Sequence, residues 1–321
     1  MNRFRLTIQP RSAFGTPLAG DTLFGQLCWT LRHQLGNERL VQLLDGYAAG
    51  RPFAVVSDGL PTGFLPLPGL PSSFWKSTDD ERKLLKKKRW LPLAATASPL
   101  AEWQSQAHTD SDAVKAVTGV AMALSTEQSQ PHNSINRRTG TTGEGKFAPY
   151  SQTQIWFHPA MQIDLYIALD ESRLSIAEFE AALSYIGQTG FGRDASIGLG
   201  KFDLVGPAMH ETFARIADEP PNAWLTLAPC APQGQAFCPQ RSYYQPLTRF
   251  GRHGDIAVQA GKPFKRPILL ARGGSVFWPE KFDPARLFIG QGLTGVSDVM
   301  PETVHQGYAP VFALTLPESS S

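Results

Sequence analysis

The sequence predicts an α+β fold made of two ferredoxin-like domains, an arrangement shared with RNA-recognition domains. Residues 1–206 contain predicted elements in the order strand, helix, strand, strand, helix, strand, which is the βαββαβ arrangement. A glycine-rich loop joins the last helix to the last strand, and a long insertion of about residues 58–160 follows the second strand. We therefore assign residues 1–206 to a first domain and residues 207–321 to a second.

Hydrophobic periodicity predicts each element of the first domain. Phe4, Leu6 and Ile8 alternate with polar residues, which predicts a half-buried strand. Leucines recur every fourth residue in a helix that begins at Asp21 or Thr22 and ends near residue 35. The other elements are a short helix over 40–47, strands over 52–57, 161–169 and 201–205, and a helix after the Ser-x-x-Glu capping box at 175–178.

The stretch from Gly190 to Phe202 contains four glycines together with an arginine and a lysine. Unshielded backbone N–H groups beside cations suit a phosphate, and a flexible helix-to-strand connector is the alternative. The pattern is not a Walker loop, because Gly200-Lys201 is followed by phenylalanine. It is not a dinucleotide fingerprint either, because Ala195 replaces the third glycine and a helix precedes the loop.

Composition excludes several classes of protein. The chain has 321 residues, of which 42% are hydrophobic and 18% charged, as in globular proteins. The net charge is only +2, so a site for a polyanion has to be a local patch. Three cysteines without C-x-x-C spacing predict neither a disulfide framework nor a zinc site, and they favour a reducing cytoplasm. No leader, membrane span, metal or cofactor is predicted.

The insertion contains two polar, basic segments. The segment 79–90 has acidic residues first and basic ones last, which suits a helix dipole. Its run from Lys83 to Arg89 predicts a contact with RNA or a partner, or only a solvated helical face. The second segment, His132–Gln152, predicts a projecting hairpin with its tip at 139–145, and a disordered loop is the alternative.

The second domain has weaker periodicity. Its candidate strands cover residues 224–227, 267–271, 275–278 and 309–316. A basic stretch lies between them and contains Arg249, Arg252, His253, Lys262, Lys265 and Arg266.

The glycine loop resembles that of the RAMP superfamily of CRISPR-associated proteins. Further motifs narrow the resemblance: Ser-Ala-Phe-Gly-Thr-Pro at 12–17, the glycine-bounded start of the first helix at 20–28, Asn-Ser-Ile-Asn-Arg-Arg-Thr-Gly at 133–140 and His-Gln-Gly-Tyr-Ala at 305–309. Together they resemble the subunit that binds the 5′ end of the guide RNA in type III-A (Csm) interference complexes.

The resemblance implies a cytoplasmic, non-catalytic subunit that binds the repeat-derived 5′ tag of CRISPR guide RNA. Such a subunit lies between a large polymerase-like subunit and the backbone RAMP subunits. A hairpin thumb, here His132–Gln152, would lie over the RNA, with Arg137, Arg138 and Lys146 on phosphates. Ile135 or Phe147 would act as an apolar wedge.

The full set of implied RNA-binding residues lies in the thumb and the glycine loop. It consists of Asn133, Ser134, Ile135, Asn136, Arg137, Arg138, Thr139, Lys146, Phe147, Gly190, Phe191, Gly192, Arg193, Ser196, Gly198, Gly200 and Lys201. Possible further contacts to RNA or to a partner are Arg11, Ser12, Phe14, Arg249, Arg252, His253, His305 and Gln306.

Two other functions are consistent with the same residues. A RAMP-type endoribonuclease would use His33 as general acid/base, although a histidine near a helix end also suits a capping or surface role. A general RNA-binding protein outside any complex is the other possibility. The low net charge and high apolar content favour a subunit that buries surface against partners.

Overall fold

The computed structural model describes residues 1–76, 82–213, 220–253 and 264–317. The α-helices in these ranges are α1 (Gly20–Leu35), α2 (Asn37–Leu44), α3 (Arg82–Leu85), α4 (Trp103–Gln106), α5 (Asp110–Thr118) and α6 (Ile176–Thr189). No helix in these ranges has both the length and the apolar character needed to cross a membrane.

The strands in the described ranges all pair in antiparallel fashion. Those before residue 211 are β1 (Asn2–Pro10), β2 (Ala54–Val56), β3 (Leu60–Pro61), β4 (Phe64–Pro66), β5 (Trp90–Pro92), β6 (Ser125–His132), β7 (Tyr150–Phe157), β8 (Ile163–Leu169), β9 (Phe202–Leu204) and β10 (Met209–His210). Those after it are β11 (Ala223–Thr226), β12 (Pro246–Arg249), β13 (Ile268–Ala271), β14 (Val276–Phe277), β15 (Phe288–Leu293) and β16 (His305–Leu314).

The largest sheet is antiparallel and is built mainly from the first half of the chain. Its strand order is β10-β1-β8-β2, with β9 also paired to β1 and β3 to β8. The β1–β8 ladder runs from Asn2 opposite Leu169 to Ile8 opposite Ile163. All elements predicted between residues 1 and 206 are present, and β10 extends the sheet beyond that predicted boundary.

Helices α1 and α6 pack in the same core as the buried residues of this sheet. Leu23, Leu27 and Leu31 of α1 are buried there, as their spacing predicts. The predicted capping box starts α6: Ser175 Oγ accepts from the N–H of Glu178 at 3.3 Å, and the Glu178 carboxylate accepts from the N–H of Ser175 at 2.9 Å.

Strand β8 is buried on both faces, whereas its sequence predicted one apolar face. Ile163 and Leu165 point into the core with α1 and α6. Tyr166 belongs to a second core that also contains Leu225 of β11 and Phe312 of β16. A sheet of the C-terminal half therefore covers the second face.

The insertion contains short elements that periodicity did not predict, including the pair β4–β5 and the helix α5. Strands β6 and β7, each eight residues long, form an antiparallel hairpin whose strands flank the predicted segment His132–Gln152. The predicted helix over 79–90 is shorter in the structure: α3 ends at Leu85, Trp90 already belongs to β5, and residues 79–81 lie outside the described ranges.

The C-terminal half forms a sheet of order β14-β11-β16-β15 and a separate two-stranded sheet, β12–β13. Within 220–253 and 264–317 there is no α-helix, so these residues do not show the helices of a second ferredoxin-like domain. The sheet packs against the first half: the Gln306 side chain hydrogen-bonds both backbone groups of Val56, and the Tyr308 hydroxyl donates to Tyr47 O at 2.5 Å.

Candidate nucleic-acid interface

The glycine-rich loop folds back on itself after α6. The N–H of Phe191 donates to Gly200 O at 2.9 Å, which closes the loop. Gly200 has φ +72°, and a Cβ there would lie 2.1 Å from Phe191 O. Glycine is therefore required at this position both by conformation and by contact.

Most backbone N–H groups of this loop donate within the chain. These are the N–H groups of Gly190, Phe191, Gly192, Arg193, Ile197, Gly198, Leu199, Gly200 and Lys201. Those of Asp194, Ala195 and Ser196 donate to no described residue. Among the backbone N–H groups that were predicted to bind a ligand, only these three are therefore available.

Segment 12–17 and α1 hold the loop from one side. Ser12 Oγ accepts from Lys201 N at 2.9 Å, and Thr16 Oγ1 accepts from Arg193 N at 3.0 Å. The Gln26 side chain uses both ends of its amide: it donates to Gly190 O at 2.7 Å and accepts from the N–H of Gly192 at 2.9 Å. Sequence reasoning missed Gln26, since only its neighbours in space reveal its role.

The base of the β6–β7 hairpin joins the same assembly. Phe14 and Ile155 exchange backbone hydrogen bonds of 2.8 and 2.9 Å. Arg193 donates from Nη2 to Thr153 O at 2.7 Å, and its Nε lies 3.3 Å from a carboxylate oxygen of Asp194. The glycine loop is thus in direct contact with the base of the β6–β7 hairpin, just after the segment His132–Gln152 that was predicted to bind RNA.

The hairpin tip is polar, basic and exposed. A bridge between Asn136 and Thr141 closes it, with the Asn136 side chain accepting from the N–H of Arg138 at 3.0 Å. Arg137 and Arg138 are exposed and form no ion pair with any residue that the structure describes. Ile135 is 61% exposed, as a wedge residue has to be. The predicted contacts at the tip are therefore accessible.

The other thumb candidates are distributed around this tip. Asn133 and Thr139 are exposed, whereas Ser134 and Phe147 are half-buried. The side chain of Lys146 lies outside what the structure describes.

The remaining loop candidates divide into exposed and internal positions. Ser196 and Lys201 are exposed, and so is Arg11, which pairs with Asp203 at 2.6 Å. Phe14 and Phe191 are fully buried. This corrects their assignment: their rings belong to the core and offer no surface to RNA.

Several C-terminal candidates also have internal partners. Arg249 forms a two-pronged ion pair with Asp21, with its Nε 2.6 Å from the carboxylate. His305 Nε2 lies 3.2 Å from the same carboxylate. Burial alone would raise the pKa of Asp21, but the hydrogen bonds from Arg249 and His305 outweigh it and hold the pKa well below its usual range.

These contacts correct the assignment of four candidates as RNA or partner contacts. Arg249, His305 and the fully buried Gln306 join the two halves of the chain, and the buried His253 shares a hydrogen bond of 3.0 Å with Ser297. Arg252 is exposed, with its guanidinium 5.9 Å from the ring centre of Phe264, and it stays a candidate. Of the basic stretch, Lys262 lies outside the described residues.

Asp58 lies near the Arg249–Asp21 ion pair and contacts Gly20, the first residue of α1. Its carboxylate accepts from the N–H of Gly20 at 2.8 Å. Burial, reinforced by the nearby negative charge of Asp21, raises the pKa of Asp58 to about 7. This carboxyl therefore takes up a proton more readily than an ordinary aspartate.

Part of the basic run of the insertion is paired within the chain. Arg89 pairs with Asp110 at the start of α5, with Nε 2.7 Å from the carboxylate. Lys88 donates to Ser105 O at 2.7 Å. Lys83, Lys86 and Lys87 are exposed.

His33 is exposed in the last turn of α1, and its ring centre lies 6.2 Å from that of Trp29. It follows Gln26, the residue that contacts the glycine loop, by seven positions, which is about 10 Å along a helix axis. The described residues contain no group of three or more acidic, histidine or cysteine side chains placed to hold a metal ion.

Comparison with solved structures identifies relatives of the fold. A chain of the Csm3–Csm4 subcomplex in the type III-A CRISPR-Cas interference complex matches with a TM-score of 0.65 and 15% identity, over 98% of this chain and 100% of that one. Chains of the Csm1–Csm4 cassette in complex with pppApA and with cA4 both match with a TM-score of 0.58, at 15% and 14% identity, over 99% of this chain and 100% of each of those chains. No protein-family model and no curated protein matches.

The chain therefore shares the mixed α/β fold of these chains from type III-A CRISPR complexes. Csm4 is the component that these structures have in common, and the fold is Csm4-like. The resemblance inferred from the sequence motifs is thus confirmed at the level of the fold.

Proposed function

We propose that this chain is a non-catalytic, RNA-binding subunit of a type III-A CRISPR interference complex. It binds the repeat-derived 5′ tag of the guide RNA and links the large subunit to the backbone RAMP subunits, in the cytoplasm. The hairpin His132–Gln152 acts as a thumb over the RNA.

One observation carries the proposal: an exposed basic tip stands on a hairpin whose base is fixed to the glycine loop. Arg137 and Arg138 lie at that tip, and Arg193 joins the loop to β7. Cations on a projecting arm neutralise phosphates, while an exposed aliphatic side chain such as Ile135 contacts bases. The arm is held in place because its base shares backbone hydrogen bonds with segment 12–17.

The strand order and the similar solved structures support the proposed association with other subunits. The strand order β9-β1-β8-β2, with α1 and α6 between the strands in sequence, supports a ferredoxin-like first domain. The similar chains come from complexes with Csm3 and with Csm1, which supports association with backbone and large subunits.

The absence of catalysis is part of the proposal. His33 lies about 10 Å along α1 from the residue that contacts the glycine loop, which disfavours a general acid/base beside that loop. We expect His33→Ala to leave guide-RNA processing unchanged in an assay with purified protein and a precursor RNA. Loss of processing in that assay would support the endoribonuclease instead.

The decisive experiment is sequencing of the 5′ ends of RNA that copurifies with the chain and its partners. A shared repeat-derived tag is expected, and random 5′ ends would contradict tag binding. In the same complex, Arg137→Ala/Arg138→Ala should reduce guide-RNA retention several-fold, since two phosphate contacts are lost. Arg51→Ala is the matched control, because Arg51 is an exposed arginine that pairs with Asp45 far from the hairpin in sequence.

A further inference from the structure

One face of the β6–β7 hairpin carries amides and aromatic rings but no charged side chain. The cross-strand pairs on this face are Thr126 with Trp156, Gln128 with Gln154, Gln130 with Gln152, and His132 with Tyr150. Side chains alternate across a strand, so Ile155 and Phe157 lie on the opposite face, where they pack against the core. Most of the amide face is exposed, and Gln154 is its one buried residue.

Three of the four amides of this face are not used inside the protein, and the fourth, Gln130, donates only to the adjacent Pro131 O at 3.4 Å. Gln128, Gln152 and Gln154 form no side-chain hydrogen bond with any residue in the described ranges. Gln154 is only 8% exposed, so it is the most enclosed of these amides. Two Gln–Gln pairs, directly opposite each other, present donors and acceptors side by side.

Aromatic rings flank these amides at both ends. His132 and Tyr150 stack with ring centres 5.3 Å apart and an interplanar angle of 14°, and Tyr150 remains 48% exposed. Trp156 at the other end is 43% exposed. The two aromatic residues on β7 are six positions apart along the strand, which is about 20 Å. Exposed rings at this spacing provide stacking surfaces for unpaired bases.

We infer that this amide-aromatic face binds the bases of unpaired RNA with a preference for adenine, while the tip binds phosphates. A carboxamide offers one donor and one acceptor, which match N7 and the amino group of adenine. The neutral face suits base edges rather than phosphates. It is too polar for an apolar protein partner, and it continues directly into the basic tip. The inference rests on the proposed function, because it assumes that the hairpin meets RNA.

The test is binding of the full chain to three unpaired ten-nucleotide RNAs, oligo-A, oligo-C and oligo-U, by fluorescence anisotropy at several salt concentrations. Wild type should prefer oligo-A. Gln128→Ala/Gln152→Ala should weaken oligo-A binding about tenfold, leave oligo-U nearly unchanged and keep the salt slope. Tyr150→Ala/Trp156→Ala should weaken all three about tenfold or more, also at constant salt slope.

Two controls separate this face from the rest of the hairpin. Ser129→Ala/Ser151→Ala changes exposed residues of the opposite face and should bind like wild type. Arg137→Ala/Arg138→Ala should weaken all three RNAs equally and lower the salt slope by about 1.4. Thermal unfolding verifies that every variant is folded.

The outcomes distinguish the inference from the function on which it rests. Binding without base preference, or an adenine preference that survives the glutamine substitutions, overturns the inference and leaves the proposed function standing. No binding of wild type to any of the three RNAs overturns both.

Discussion

The glycine loop and the tip of the β6–β7 hairpin both contain glycines and basic residues, and both were predicted to bind RNA. In the structure, however, the polar groups of the loop mostly bond within the chain, whereas those of the tip face solvent. In the loop, most N–H groups donate within the chain, and Gln26, Ser12 and Thr16 supply several of the acceptors. At the tip, Arg137 and Arg138 face solvent. The loop therefore fixes the arm in position, and the arm presents the charge.

Removing a loop glycine should give the largest loss of stability. Gly200→Val places a Cβ 2.1 Å from Phe191 O in a backbone with φ +72°, and we expect the free energy of unfolding to fall by about 4 kcal/mol in urea titrations. Gly198→Val is the control, because φ is +98° there but the space is open, and about 1–3 kcal/mol should be lost. Equal losses would mean that conformation alone, and not contact, demands these glycines.

Two arginines of the C-terminal half also differ in whether they bond within the chain or face solvent. Arg249→Ala removes the arginine that pairs with the buried carboxylate of Asp21 and leaves His305 as the neighbour of that carboxylate, so we expect a loss of about 3 kcal/mol in unfolding free energy. Arg252→Ala, at an exposed position, should change stability by less than about 0.5 kcal/mol. Unfolding curves of both variants that match wild type would contradict the structural role of Arg249.

Loss of the Gln26 side chain, which holds the glycine loop from α1, should reduce stability by an intermediate amount. Gln26→Ala removes the partners of Gly190 O and Gly192 N, and we expect about 2 kcal/mol of destabilisation with faster amide hydrogen exchange in the loop. Gln34→Ala, at an exposed site of the same helix, is the matched control. Unchanged exchange in the Gln26 variant would show that the loop holds its shape without α1.

The tip should show the smallest effect on stability. Arg137→Ala/Arg138→Ala is expected to shift the free energy of unfolding by less than about 0.5 kcal/mol, since neither side chain has an ionic partner among the described residues. The same variant loses RNA in the retention assay proposed above. A marked loss of stability would show that these arginines support the fold, as the polar groups of the glycine loop do.

Elements with local signals were predictable from the sequence. The capping box at Ser175 and the alternation in β8 depend on residues within a few positions of each other, and both are present. Helix α5 was missed although it has a capping box, because its third residue is Asp112 rather than the usual glutamate or glutamine.

The internal contacts of the candidate site were not predictable, because they join distant parts of the chain. Gln26 meets Gly190 across 164 positions, and Asp21 meets Arg249 across 228. Residue type identified Arg249 as a cation but gave no sign of its buried partner. Conversely, the exposure of Arg137 and Arg138 agrees with the polar, basic composition of their segment, which does not suit a core.

Strand β8 has a consequence for how the chain unfolds. Ile163 and Leu165 lie in one hydrophobic core, whereas Tyr166, on the other face of the strand, lies in the second. Strand β10, which follows residue 206, pairs with β1 at the start of the chain. Neither core is whole without residues from both sides of position 206. Heating should therefore give a single calorimetric transition, and fragments made by cutting there should fold only when mixed.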